Sequence, residues 1–179
     1  MNLNNKRLAS LWDNQQFSTK NRKSEKPIDG KFIYSSLFSV GAFATRKDDS
    51  IETKFAASTA DKLLLKVRSV RDEINKLNSE FLKGVEDIES NPYTPTNSFE
   101  IKLNDKSKTP ESVMLSKVFV SCDRYFVNMY KARKNGELTE RENQELRSAA
   151  IKMVQTLLDE TNRACISFHR ARKQIKGKK

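Results

Sequence analysis

Residues 99–110 read FEIKLNDKSKTP, and this stretch decides the predicted fold. Its first six residues alternate strictly between apolar and polar side chains, in the order Phe99, Glu100, Ile101, Lys102, Leu103 and Asn104. Strict alternation predicts a short strand with one buried and one exposed face. Thr109 suits a helix N-cap, and Pro110 suits the first helical position because it has no amide hydrogen to leave unpaired.

Two helices are predicted after this strand. The first, over residues 110–133, is expected to end at Asn135-Gly136, since glycine readily adopts positive φ. Thr139-Glu140-Arg141-Glu142 has the pattern of a capping box and begins a last helix that runs into the basic C-terminus. Strand, helix, glycine turn and helix is the order of a ribbon-helix-helix protein, in which two subunits pair their strands into a ribbon that enters the major groove. The predicted fold is therefore α+β and mainly helical, a ribbon-helix-helix-type dimer with extra N-terminal strands and long helices.

The two faces of the strand have different predicted roles. The outward side chains Glu100, Lys102 and Asn104 are of types that pair with cytosine, guanine and adenine edges in the major groove. Lys106 and Lys108 follow closely, and we expect them to contact DNA as well. The inward side chains are predicted to form the dimer interface, and they are Phe99, Ile101 and Leu103.

A second segment could supply the ribbon instead. Residues 51–55 alternate in the same way, with Glu52 and Lys54 facing outward. Ser58-Thr59-Ala60-Asp61, directly afterwards, has the pattern of a helix N-cap. The position of the ribbon therefore stays open between the two strands.

The first half of the chain is predicted to add strands and one long helix. Residues 31–46 are rich in β-forming side chains, which favours one or two strands. The helix after Ser58 should end at Asn91-Pro92, because the residue before proline avoids the helical region. Its apolar stripe fits either a homodimer seam or a helix buried within one subunit, and it comprises Leu63, Val67, Val70, Ile74, Leu77 and Phe81.

The net charge of +11 is concentrated at the two ends of the chain. Residues 1–30 carry six Lys/Arg against three Asp/Glu, and residues 163–179 carry seven against none. We predict three parts: a basic flexible arm over residues 1–30, a single DNA-binding and dimerisation domain over 31–168, and a basic tail over 169–179. For the arm, the alternative is a docked helix around residues 8–12. Clustered cations gain free energy by releasing counterions from phosphates. The tail residues expected to contact DNA are Arg170, Arg172 and Lys173.

Four segments resemble the AcaB-type regulators of conjugative plasmids and a broader group of integrating conjugative element proteins. They are Ser50-Ile51-Glu52-Thr53-Lys54-Phe55-Ala56, Ser121-Cys122-Asp123-Arg124-Tyr125, Lys134-Asn135-Gly136-Glu137-Leu138-Thr139 and Ser167-Phe168-His169-Arg170. The resemblance covers roughly residues 40–172. It implies a dimeric ribbon-helix-helix protein that binds double-stranded DNA and activates conjugative transfer genes, with other transcription factors or RNA polymerase as further partners.

The sequence speaks against enzyme chemistry and against a cofactor or metal. His169 is the sole histidine, and no glycine-rich phosphate loop is present. Cys122 and Cys165 fall on apolar helix faces, which predicts packing rather than redox chemistry. Without a long apolar run, a cytoplasmic protein with no membrane partner is expected. The resemblance implies that it associates with the nucleoid or a plasmid. The alternative function is a helical adaptor of the conjugation machinery or a nonspecific nucleic-acid binder.

Overall fold

The computed structural model describes residues 1–19, 25–85, 92–103 and 108–177, and nearly all of its regular structure is helical. The elements in chain order are β1 (Asn2–Leu3), α1 (Lys6–Trp12), α2 (Asn14–Phe17), α3 (Gly30–Ala44), α4 (Ile51–Lys83), β2 (Phe99–Glu100), α5 (Pro110–Lys134) and α6 (Glu140–Gly177). The predicted α+β ribbon-helix-helix fold is wrong. A mainly α-helical protein with one two-stranded sheet takes its place among the described residues.

Helix α3 replaces the strands predicted over residues 31–46. Asp29 caps it, because the Asp29 Oδ1 atom accepts a hydrogen bond of 2.9 Å from the amide of Phe32. The buried side chains recur with helical spacing, and they are Ile33, Tyr34, Leu37 and Val40. Burial of one helix face outweighs the β-propensity of the individual residues.

The N-cap of helix α4 lies eight residues before the predicted one, at Ser50 rather than Ser58. The Ser50 hydroxyl accepts a hydrogen bond of 3.2 Å from the amide of Thr53, so the helix runs through the strand predicted at 51–55 and through the cap predicted at 58–61. Its last residue is Lys83, followed by Gly84, and the predicted end at Asn91 lies outside the described residues. Leu63, Val67 and Ile74 of its apolar stripe are buried within their own chain. Of the two alternatives for the stripe, the structure therefore shows a helix buried within one subunit rather than a homodimer seam.

The capping predictions for α5 and α6 are confirmed. Thr109 and Ser112 cap α5 reciprocally, with Pro110 in its first turn. Gly136 has a φ of 82° directly after the end of α5. At the start of α6, the Thr139 amide donates a hydrogen bond of 2.9 Å to Glu142, and the Glu142 amide donates one of 3.2 Å to the Thr139 hydroxyl.

Strand β2 pairs antiparallel with the N-terminus of its own chain, where Leu3 lies opposite Phe99. The amide of Ile101 also donates a hydrogen bond of 2.8 Å to the carbonyl of Met1. The ribbon partner is therefore an intramolecular strand rather than a second subunit.

The N-terminal segment packs into the core. Leu8 and Trp12 of α1 are buried, and the Trp12 ring lies edge-on to Phe119 with 4.9 Å between centroids. Asp123 of α5 holds the segment by accepting hydrogen bonds of 2.9 and 3.0 Å from the amides of Asn4 and Asn5. The docked helix, one of the two alternatives for residues 1–30, is present as α1.

Helices α3 to α6 form a bundle with two distinct ends, in which α4 and α5 run in one direction and α3 and α6 in the opposite direction. The first turns of α4 lie beside the last turns of α6, as the 5.5 Å stack of the Phe55 and Phe168 rings shows. Asn78 of α4 and Asn128 of α5 join at 2.8 Å in the other half of the bundle. None of the described helices combines the length and apolarity that a membrane crossing requires.

Candidate nucleic-acid interface

Cations from two separate segments meet at one end of the bundle. The guanidinium carbons of Arg46, after α3, and Arg172, near the end of α6, lie 4.0 and 3.9 Å from the ring centroid of Phe43. The rings of Phe43 and Phe168 lie 6.1 Å apart and anchor this part of α6. We call this surface the basic end, and its members are Arg46, Lys47, Arg170, Arg172 and Lys173.

Glu52 neutralises part of the basic end. Its side chain is 13% exposed, and its carboxylate lies 3.5 Å from Arg172 and 3.9 Å from Arg46. The Arg172 side chain is itself 18% exposed, so it is committed to packing α6 against α3 and α4. Arg170 and Lys173 are exposed instead and make no ion pair with any described residue.

The carboxylates in the loop before α4 have partners of their own. Asp48 accepts a hydrogen bond of 2.7 Å from the Thr53 hydroxyl, and hydrogen bonds from Ser50 and Thr53 lower its pKa. Asp49 lies 3.0 Å from the ammonium group of Lys54. The exposed cations of α6 therefore remain available for an external anion.

His169 lies beside the aromatic rings of this end. Its ring is 5.1 Å from Phe168 and 6.4 Å from Phe43 between centroids. Burial lowers the pKa of His169, and the charges of Arg172 and Lys173 lower it further. At neutral pH the imidazole is therefore uncharged, and the positive charge of this end comes from Arg and Lys.

Of the outward residues predicted to form the ribbon, Glu100 lies in β2 and Lys102 lies just after this strand in the part of the chain that the structure describes. Glu100 and Lys102 are exposed near β2, Lys108 is exposed just before α5, and Asn104 and Lys106 lie outside the described residues. The three residues predicted for dimerisation contact their own chain: Phe99 lies 5.8 Å from the Phe17 ring, Ile101 is buried, and Leu103 is half-buried against the core.

The competing ribbon residues lie in the first turn of α4. Glu52 is partly buried against Arg172 of the basic end, whereas Lys54 is exposed and pairs with Asp49. The two side chains therefore do not form one outward face. Of the predicted DNA contacts, the structure brings together Glu52, Arg170, Arg172 and Lys173, although Glu52 acts there as a counter-charge.

A second site, which the sequence did not indicate, lies where α1 meets the end of α5 and the beginning of α6. This cleft has a volume of about 530 Å³. Tyr93 and Tyr130 face each other in it at 5.8 Å, and the Arg147 guanidinium carbon lies 4.8 Å from the Tyr130 centroid. We call it the tyrosine cleft; its lining comprises Asn4, Asn5, Lys6, Arg7, Ser10, Phe17, Ser18, Thr19, Tyr93, Asn97, Tyr130 and Arg147. Because these residues come from distant parts of the chain, no local sequence motif predicts the cleft.

Neither a metal site nor a reactive thiol is found among the residues that the structure describes. No three His, Cys, Asp or Glu side chains lie close enough to hold a metal ion in these segments. Burial raises the pKa of the Cys122 thiol to about 12 and that of the Cys165 thiol to about 11. Both cysteines are buried, as their positions on apolar helix faces predicted.

Comparison with known proteins finds no matching family model, no matching curated protein and no matching solved structure. The resemblance to AcaB-type regulators therefore stays a prediction from the sequence segments. The ribbon-helix-helix fold that it implied is replaced by the helical bundle.

Proposed function

We propose that this protein binds double-stranded DNA without catalysing a reaction, and that the basic end supplies its phosphate contacts. The proposal rests above all on α6, which continues as a helix to Gly177, because residues 163–177 of this helix contain five Lys/Arg and no Asp/Glu. A regulatory role in conjugative transfer rests on the sequence resemblance alone.

The cations of the basic end sit on a rigid support. Phe168 is buried at 1% exposure and Arg172 is held by Phe43 and Glu52, so the neighbouring backbone is fixed by packing. Arg170 and Lys173 project from the same two turns. Because this backbone is already ordered, binding phosphates costs less conformational entropy than it would for a disordered tail.

The helical fold also changes the expected mode of recognition. The intermolecular ribbon that would have read base edges is absent from the described part of the chain, and β2 pairs internally instead. Phosphate contacts position a protein on DNA without carrying sequence information. We therefore expect affinity that depends steeply on salt and only weakly on sequence.

The test is equilibrium binding of a fluorescent duplex by anisotropy at low salt. Arg170→Gln combined with Lys173→Gln should weaken binding by roughly tenfold or more, because two phosphate contacts are lost. The matched control is Arg141→Gln combined with Lys152→Gln, which removes the same charge from the other half of α6. Equal losses for both double variants would contradict the proposal, since the effect would then follow net charge rather than the basic end.

A further inference from the structure

The tyrosine cleft combines positive charge with aromatic surface. Among the described residues, Lys6, Arg7 and Arg147 line it, and no Asp or Glu does. Tyr93 and Tyr130 provide two ring faces inclined by 34° to each other. A cleft of this volume is in the range of small-ligand sites, and its cations select for an anion.

Arg147 lies against the aromatic rings of this cleft. Its guanidinium carbon lies 5.4 Å from the Phe126 centroid and 4.8 Å from that of Tyr130, so it is held over rings rather than over a carboxylate. The Nε atom of Arg147 is buried and has no hydrogen-bond acceptor among the described residues. Because Arg147 makes no ion pair with any described carboxylate, its charge remains available to an anion that enters the cleft.

The remaining polar groups suit an uncharged part of a ligand. Burial raises the pKa of Tyr93, with smaller contributions from Tyr130 and Asp123, so its hydroxyl stays protonated at neutral pH. Asn97, Ser10 and Ser18 add amide and hydroxyl groups to the lining of the cleft. Rings that stack, amides that hydrogen-bond and a guanidinium that pairs with phosphate together match a nucleotide.

We propose that the tyrosine cleft binds a nucleoside phosphate, with the phosphate at Arg147 and the base against the tyrosine rings. This site lies at the end of α5 and the beginning of α6, whereas the basic end lies at the last turns of α6. A free nucleotide and the phosphorylated end of a nucleic-acid strand share this chemistry, and the cleft is distinct from the duplex-binding surface.

The test is isothermal titration calorimetry of the full-length protein with AMP, inorganic phosphate, adenosine and a 5′-phosphorylated trinucleotide. We expect AMP or the trinucleotide to bind with a Kd of about 1 mM or tighter, and phosphate and adenosine to bind at least tenfold more weakly. Tighter binding of AMP would identify a free nucleotide, and tighter binding of the trinucleotide would identify a strand end. The proposal is overturned if neither binds, or if inorganic phosphate binds as well as AMP.

Variants locate the binding in the cleft. Arg147→Gln should weaken the AMP or trinucleotide complex by about tenfold or more, whereas Arg141→Gln, on the same helix with an 88% exposed side chain, should not change it. Lys6 is exposed, so Lys6→Gln should weaken nucleotide binding without unfolding the protein. This variant keeps the test valid if Arg147→Gln does not fold. Unchanged affinity in both cleft variants would refute the site. Arg170→Gln with Lys173→Gln should leave this binding intact, so failure here and failure of the duplex proposal are separate results.

Discussion

Replacing Arg172 with methionine should destabilise the fold and change duplex binding little. The substitution keeps an apolar side chain but removes the guanidinium that lies 3.9 Å from the Phe43 centroid and 3.5 Å from Glu52. A cation-π contact at a partly buried site contributes about 1 kcal/mol, and an ion pair of this exposure adds about 1 kcal/mol. Glu52 retains Arg46 at 3.9 Å, so it is not left without a cation. The expected loss is about 2 kcal/mol, or about 4 to 8 °C in Tm for a chain of this length.

The assay is urea unfolding followed by circular dichroism, with Arg170→Met as the matched control. Arg170 lies on the same stretch of α6 but is exposed, so its replacement should cost less than about 0.5 kcal/mol while it weakens duplex binding. Arg172→Met should show the reverse pattern. An Arg172→Met variant as stable as the wild type would refute the structural role assigned to Arg172, and so would equal effects of both variants on stability.

Four further outcomes are expected. Trp12→Ala should cost about 3 to 5 kcal/mol in urea unfolding, since the ring is buried against α3 and α5; a change below about 1 kcal/mol would mean that α1 does not belong to the core. Gly41→Ala should destabilise by about 1 to 3 kcal/mol, because a Cβ there would lie 2.8 Å from a threonine side chain of the neighbouring segment, whereas Gly84→Ala, whose nearest atom would lie at 3.6 Å, should change Tm little. The two cysteines should resist alkylation at pH 8 in native protein and react after unfolding, so rapid labelling of folded protein would contradict their burial. His169 should titrate by NMR with a pKa below its ordinary 6.5. As the pH falls through that range, the unfolded state binds the proton first and stability decreases; a pKa above 6.5 would contradict both the burial of His169 and the effect of the nearby cations.

Helix boundaries could be predicted where local capping chemistry decides them. Thr109, Gly136 and Thr139 were identified from residue type and spacing, and all three occupy the expected places at helix ends. Each of these signals involves groups within about one turn, such as the reciprocal hydrogen bonds between Thr139 and Glu142. These predictions are confirmed because the capping groups lie close together in the sequence and can be recognised from it.

The predicted strands failed because two patterns overlapped in the same residues. Residues 31–46 are rich in β-forming side chains, yet Ile33, Leu37 and Val40 also have helical spacing, and Asp29 provides the cap. Which pattern prevails depends on the faces of α4 and α5 that cover α3, and those contacts are not local. Two patterns also overlap at the start of α4, because residues 51–55 alternate like a strand although Ser50 caps a helix that runs through them.

The candidate sites were predictable only where they lie along one element. The concentration of charge after residue 163 is visible in the sequence and led to Arg170 and Lys173. The contribution of Arg46 depends on how α3 and α6 meet around Phe43, and the tyrosine cleft assembles Asn4, Tyr93 and Arg147 from distant positions. Tertiary contacts create both features, so no spacing rule could reveal them.

The most direct test of duplex binding by the basic end is the salt dependence of the binding constant. For each phosphate neutralised, the slope of log K against log salt concentration steepens by about 0.9. Removing Arg170 and Lys173 together should therefore make the slope shallower by about 2, while Arg141→Gln with Lys152→Gln should leave it close to the wild-type value. A wild-type slope near zero, or an identical slope in the basic-end variant, would contradict the account.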